Sequence, residues 1–521
     1  MQATQRRTDA YYILFLLLLG LYLVFSFSVL KNFGVTWDEP AQQYIGKVNS
    51  DYIHGRTEKI EDLPEDFNYY GPFFEIVNYD FSISLMDSFR MLQVDAFHIL
   101  IILSFAAGVF FFFKLVRLMY GSEVAFFASL FLLLHPILFA HAHYNSKDIP
   151  LLAGFIVILY FLYSGFFERK FWKILTAGGI FGFLLAIRAD ALIVFPVFFA
   201  PYLIFLFFGL RTPSQAEWMA RLKKDMAYLG AFLGAGGLAL FLGWPRLWKD
   251  PLFFFASVKY FLHHGWIKQA LYFGKATYAA NLPWRYSPFF VFATTSTLII
   301  VLFFFGIAKM VRDFKSGKNI FALWLVIFWF FTRLIVGMKP HSIRYDGVRH
   351  FLIVIPPLLV IAALGFVDVL SRTRKYKFHE KLRWTAIAFV LLWLAVEFFL
   401  IYPFGDAYYN ETVRLALGPK LEKKFDFEYW GASYRQGMDW LNRNAAPSSS
   451  FCVPIAGHLI QYYPIRADLT YDCSENANYL MFITRWAFAP ENFNETFHFE
   501  GKEPVFKISR YNSNLWVKFE K

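Results

Sequence analysis

The sequence predicts a polytopic α-helical membrane protein of about eleven transmembrane helices with a small α/β domain at its C-terminal end. Three observations predict it. Of 521 residues, 57% are hydrophobic and 17% charged, more apolar material than one soluble core takes up. The apolar residues fall into uncharged runs of spanning length, separated in part by short loops rich in Lys and Arg. From about residue 404 the composition turns polar, with strand-like runs and a Pro447-Ser448 turn.

The first run, Tyr11 to Leu30, has no charged residue, follows Arg6 and Arg7, and leads into no small-residue cleavage signal. It reads as a retained helix with a cytoplasmic N-terminus. Further spans are expected near 95–113, 123–140, 149–167, 172–187, 191–210, 226–247, 287–308, 320–338, 350–367 and 384–403. Arg188 and Asp190 interrupt the stretch 172–210, which reads as a tight hairpin with a short first arm. An odd number of crossings places the large loops 32–94 and 248–286 and the tail on one outer side. The domains expected are therefore a membrane domain, 1–403, and an extracytoplasmic domain, 404–521.

The first outer loop opens with Thr36-Trp37-Asp38-Glu39-Pro40, and Tyr44, Val48 and Tyr52 then recur at helical spacing, as in a helix lying along the interface. Loop 248–286 carries Phe253, Phe254, Phe255, Lys259, Tyr260 and Trp266, which suits a helix in the headgroup layer. In the tail a helix is expected over Ser433–Asn444, and strands over 451–454, 478–484, 504–509 and 515–519. Cys452 and Cys473 both lie there, where a disulfide and two free thiols are alike open readings.

The formal charge of +12 does not mark a nucleic-acid surface. Residues 404–521 hold thirteen Lys/Arg and fourteen Asp/Glu, so the excess belongs to the membrane part. There it concentrates in short loops such as Arg169–Lys173, Lys309–Lys318 and Arg372–Arg383, the distribution of cytoplasmic loops.

Chemistry-bearing residues gather on the outer side. Asp38 and Glu39 follow the first span, where a carboxylate stays hydrated and lies near lipid headgroups, a suitable place for a general base; the plain alternative is an acidic pair capping a helix. His141, His143, Lys147 and Asp148 crowd the turn after the third span, and the histidines read as turn hydrogen-bonders or as two ligands of an incomplete metal site. Arg188, Arg333, Arg349 and His350 bring cationic and polar groups to the same surface. Charges at membrane depth are costly and mark function, and a departing phosphate needs such groups. The plain alternative is internal pairing, Arg188 with Asp190 and Arg344 with Asp346.

An Asp-Glu pair opening a long first outer loop, followed by an outer turn ending in Asp148, resembles the GT-C class of membrane glycosyltransferases. The resemblance is to protein O-mannosyltransferases and to the aminoarabinose transferases of lipid A, in particular the bacterial family 39-like members. Asn145-Ser146-Lys147-Asp148-Ile149-Pro150, Asp346-Gly347-Val348-Arg349-His350-Phe351-Leu352, Tyr408-Tyr409-Asn410 and Phe427-Glu428-Tyr429-Trp430-Gly431 carry it. It implies an inverting transfer of a sugar from a polyprenyl-phosphate donor to an extracytoplasmic acceptor, protein, lipid or glycan, by an enzyme of the cell's inner membrane. It implies catalytic roles for Asp38, Glu39 and Asp148 and a basic group at Arg188, and placement on the same face adds Lys147, Arg349 and His350 to Arg188 as donor-phosphate contacts. It fixes no cofactor and leaves metal dependence open; a divalent metal of the kind some relatives hold would be matched here by Glu75 with His263 or His264.

Rival readings are a transporter or flippase of lipid-linked sugars, a polymerase of lipid-linked glycans, and a membrane scaffold. A transporter would keep its ionisable groups along a path through the membrane's middle, whereas those named above cluster on one face. A polymerase differs only in its acceptor.

Overall fold

The computed structural model describes residues 2–60, 63–208, 215–263, 265–474, 477–488, 503–511 and 513–520. Among them, eight helices are long and apolar enough to cross a membrane: Ala10–Ser28, Gln93–Tyr120, Asp148–Glu168, Ala189–Phe207, Glu217–Gly243, Ile320–Met338, Arg349–Lys375 and His379–Ile401. Two bent pairs, Ser122–Leu133 with Pro136–Tyr144 and Tyr286–Ala293 with Thr297–Lys315, raise the number to as many as ten. The remaining expected span is the helix Phe171–Leu185, whose 15 residues reach only about 22 Å at 1.5 Å per residue. Its Gly182 lies against the Gly236 carbonyl of Glu217–Gly243, with no room for a Cβ, as close-packed membrane helices require.

Two expected spans are therefore broken rather than straight. The first bends by 65° at His135, because Pro136 disfavours helical geometry in the residue before it. The second bends by 109° at Thr294–Ser296. There the Thr294 and Thr295 hydroxyls donate to the Phe290 and Val291 carbonyls at 2.6 and 2.8 Å. Asn410 then takes the carbonyls of Phe292 and Thr295, each at 2.8 Å. At the other break a Cβ on Gly405 would overlap the Pro136 carbonyl, so only glycine fits. The segment 405–410 thus wedges into both bends.

Asp148–Glu168 and Arg349–Lys375 are the most enclosed spans, and Ala10–Ser28 is peripheral. Asp148 and Arg349 each begin one of the central helices, near the end where the first helix finishes at Ser28. At the opposite end lie the ion pairs Arg383–Glu123 at 2.6 Å, Arg312–Asp368 at 2.7 Å and Lys173–Glu168 at 2.9 Å.

The first large loop contains the helices Glu39–Ile53 and Phe73–Phe89, packed on one another. The Gln42, Ile45, Gly46 and Asn49 side of Glu39–Ile53 faces inward, leaving Tyr44 outside. Loop 248–286 forms the helix Phe253–His263 and a hairpin pairing Gln269–Tyr272 with Lys275–Tyr278. Tyr69 of the first loop stacks on Tyr260 of the second at 4.0 Å.

In the tail, the helix Tyr434–Asn444 packs on a five-stranded sheet in the order Thr470–Tyr471, Ser450–Cys452, Tyr479–Ile483, Ser513–Glu520, Phe506–Arg510. The first two pairings are parallel and the others antiparallel. A disulfide joins Cys452 to Cys473. The tail is tied to the helices by Arg435, which reaches Asp95 at 2.6 Å and the Phe33 carbonyl at 2.9 Å. Trp37 N–H donates to the Trp430 carbonyl at 2.7 Å.

Candidate active site

Asp38 immediately precedes the helix Glu39–Ile53, yet its carboxylate caps nothing there. Glu39 does the local work: its Oε2 accepts from Thr36 N–H at 2.8 Å and from the Thr36 hydroxyl at 3.3 Å, and its Oε1 meets His98 Nε2 at 2.9 Å. Glu39 N–H also donates to the Thr36 carbonyl at 3.0 Å, so Thr36 and Glu39 together close the turn that leads into the helix. Glu39 is buried, while the Asp38 side chain keeps 35% of its surface exposed.

Arg349 organises the site. Its Nη2 donates to Asp38, its Nε to Asp148 Oδ2 at 3.0 Å and its Nη1 to Asp346 Oδ2 at 2.9 Å. Its face lies 4.4 Å from the Trp430 ring. Trp430 is set by Glu428, whose carboxylate accepts the backbone N–H groups of Trp430 at 3.0 Å and Gly431 at 2.7 Å. Burial would by itself raise the Asp38 carboxyl, but the neighbouring Arg349 and Lys147 charges override it and hold the group below the usual carboxylate range.

Asp148 and Asp346 are each anchored twice. Arg188 Nη1 donates to Asp148 Oδ1 at 2.6 Å, and Asn145 Nδ2 to Oδ2 at 3.0 Å. Arg485, from the tail, reaches Asp346 Oδ1 at 2.6 Å and the Tyr429 carbonyl at 2.6 Å. Asp346 and Gly347 have φ of 52° and 59°, a left-handed turn that glycine accepts freely and aspartate tolerates.

Two cavities meet at Arg349. One is lined by Asp38, Gln42, Ser146, Lys147, Trp430 and Arg349, among others. The other, the larger of the two, combines Arg188, Arg333 and His350 with the apolar side chains of Leu151, Leu152, Ile193, Leu352 and Ile353. There Arg188 also pairs with Asp190 at 3.0 Å, as does Arg333 at 3.0 Å. His350 Nε2 lines this cleft with no hydrogen-bond partner among the described residues. Of the expected phosphate contacts, Arg188, Arg349 and His350 share the larger cleft. Lys147 stands on the Asp38 side, over the Tyr70 ring at 3.9 Å.

Glu75 is buried in Phe73–Phe89, beside Gln42, whose amide, oriented to suit both neighbours, donates to Glu75 Oε1 at 2.8 Å and accepts from Lys147 Nζ at 3.2 Å. Burial pushes the Glu75 carboxyl up to about 8. His263 is exposed on the second loop, its Nδ1 at 2.9 Å from the Lys259 carbonyl, and His264 lies outside the described residues. Among the described residues no three His, Cys, Asp or Glu side chains are grouped as metal ligands. His141 Nδ1 meets Asn145 at 2.9 Å, and His143 Nδ1 meets the Phe139 carbonyl at 2.7 Å, so both serve local hydrogen bonds.

Arg485, Asp346, Trp430 and Glu428 were not singled out as site residues from the sequence. Arg344, expected opposite Asp346, donates instead to main-chain carbonyls, among them Gly337 at 2.5 Å.

Residues 79–244 match the family model described as dolichyl-phosphate-mannose-protein mannosyltransferase. Among solved structures, ArnT from Cupriavidus metallidurans in the apo state superimposes with a TM-score of 0.51 at 13% identity, covering 98% of each chain. The chain therefore shares the fold of ArnT. The same ArnT bound to undecaprenyl phosphate gives a TM-score of 0.48 at 14% identity, again over 98% of each chain. AglB, an archaeal oligosaccharyltransferase from Archaeoglobus fulgidus in complex with an inhibitory peptide and a dolichol-phosphate, gives 0.46 at 12% identity, over 90% of this chain and 69% of its own. No curated protein sequence matches.

Proposed function

We propose that the chain transfers a sugar from a polyprenyl-phosphate donor to a hydroxyl acceptor on the extracytoplasmic face of the cell's inner membrane, with inversion at the anomeric carbon. The observation that carries this reading is the position of Arg349 between two unlike cavities, one holding an accessible carboxylate and the other joining cations to an apolar floor. A lipid phosphate combines the two chemistries of the larger cleft. Its phosphate meets Arg188, Arg349 and His350, and its first isoprene units lie along Leu151, Leu152, Ile193, Leu352 and Ile353. The match to a family named for a lipid-phosphate-linked sugar donor supports the same substrate class.

The acceptor enters on the Asp38 side. Asp38 takes the proton of the acceptor hydroxyl as its oxygen bonds to the anomeric carbon. The bond from that carbon to the phosphate oxygen breaks, and the electron pair leaves with the polyprenyl phosphate. Arginine groups already gathered at the cleft meet the developing charge. Helix N-termini at Asp148 and Arg349 add favourable partial charge at that end. The cationic short loops at the far end support a cytoplasmic face there, with the N-terminus on that side.

The test is sugar release from a panel of labelled polyprenyl-phosphate sugars by the purified protein in lipid. Release specific to one donor, falling by about 100-fold or more in Asp38→Asn, is the expected result. Equal release by wild type and Asp38→Asn would remove Asp38 as the base.

A further inference from the structure

The three carboxylates around Arg349 are not equivalent. Asp148 has 8% of its side chain exposed and Asp346 3%, and each is held by a second arginine, Arg188 and Arg485 respectively. Asp38 has 35% exposed, and among the described side chains Arg349 alone hydrogen-bonds its carboxylate. Arg349 spends all three of its nitrogens on these partners and its face on Trp430. Each nitrogen of Arg349 already faces a carboxylate, so an anion that draws on the same guanidinium weakens one of these pairs, and Asp38 is the partner with the fewest anchors and the most water.

We propose that the donor phosphate and Asp38 compete for the Nη2 edge of Arg349, so that donor binding itself releases the base. The idea rests on the donor reading above and extends it. In the resting protein Asp38 is paired and its basicity suppressed. When the phosphate arrives from the larger cleft, Arg349 turns its charge toward it, and Asp38 is left facing the smaller cavity with an unpaired carboxylate. The base is then freed where a sugar donor is present, and the guanidinium that will meet the leaving phosphate is engaged before the bond breaks. Without donor, acceptor hydroxyls meet a neutralised pair.

The experiment is a binding cycle with undecaprenyl phosphate as the probe and undecaprenol, which lacks the phosphate, as its control. Affinity is measured in detergent for wild type, Asp38→Asn and Asp38→Ser, each with Arg349 and with Arg349→Lys, using protein that is monodisperse on gel filtration. Both Asp38 variants should bind the phosphate lipid about two- to fivefold more tightly than wild type, the size expected of one partly exposed ion pair. The gain should shrink in the Arg349→Lys background and be absent for undecaprenol. Wild type that binds the phosphate lipid while both Asp38 variants bind it equally or more weakly overturns the competition and leaves the donor reading standing. Wild type that binds the phosphate lipid no better than undecaprenol overturns the donor reading, and the competition with it.

Discussion

Arg349 Nε donates to Asp148 Oδ2 across 3.0 Å, joining residues 201 positions apart at the starts of the two most enclosed helices. The contact fixes how those helices meet, and it makes the arginine that faces the larger cleft a structural member of the bundle as well.

Arg349→Gln should accordingly damage stability and activity together. It leaves Asp148 and Asp346 buried with one cation fewer each, a loss on the order of 3–5 kcal/mol. Thermal unfolding in detergent measures it. A variant as stable as wild type would mean that Arg188 and Arg485 suffice to hold the two carboxylates.

Glu75 should make stability fall as pH rises. Its carboxyl, raised to about 8 in the folded protein, is protonated at neutral pH, whereas in the unfolded chain it ionises near 4.3. Between those values unfolding releases a proton, so each step up in pH favours the unfolded state. Glu75→Gln removes that contribution, and the wild type should lose up to a few kcal/mol relative to the variant between pH 5 and pH 8. Parallel melting curves at the two pH values would refute it.

Asn410→Ala removes two hydrogen bonds to the carbonyls at the 109° bend and the cap on Val413 N–H at 3.1 Å. At about 1 kcal/mol each, the cost is about 2–3 kcal/mol. Limited proteolysis read by peptide mapping should show faster cleavage near residues 290–300. An unchanged pattern would show that the threonine hydroxyls hold the bend alone.

Reduction should slow migration of the denatured protein on a gel, and Cys452→Ser with Cys473→Ser should abolish the effect. The bridge closes a separation of 21 residues, which corresponds to about 3 kcal/mol of stability. Identical mobility with and without reductant would show that the two thiols are unpaired.

The spans were legible because uncharged length is a direct physical requirement of the bilayer interior. The bend before Pro136 was signalled in the sequence by the proline itself. The bend at Thr294–Ser296 was not, since Asn410 holds it from 115 residues away. Asp38, Asp148, Arg188 and Arg349 stood out as charges at the ends of apolar runs, and the structure brings all four together. Arg485 carried no such mark. It lies in a polar tail where an arginine is ordinary, and only folding sets it opposite Asp346. Glu39 shows the converse: adjacency to Asp38 suggested a shared role, whereas Thr36 and His98 claim its two oxygens.

The wedge 405–410 and the tie from Arg485 to Asp346 also constrain how the molecule is made. A chain that ends with its last membrane helix holds neither bend's filler nor the second anchor of Asp346. Synthesis must run through Arg485 before the surroundings of Arg349 are complete, so a partly made chain has its membrane helices before it has the cluster that joins them to the tail.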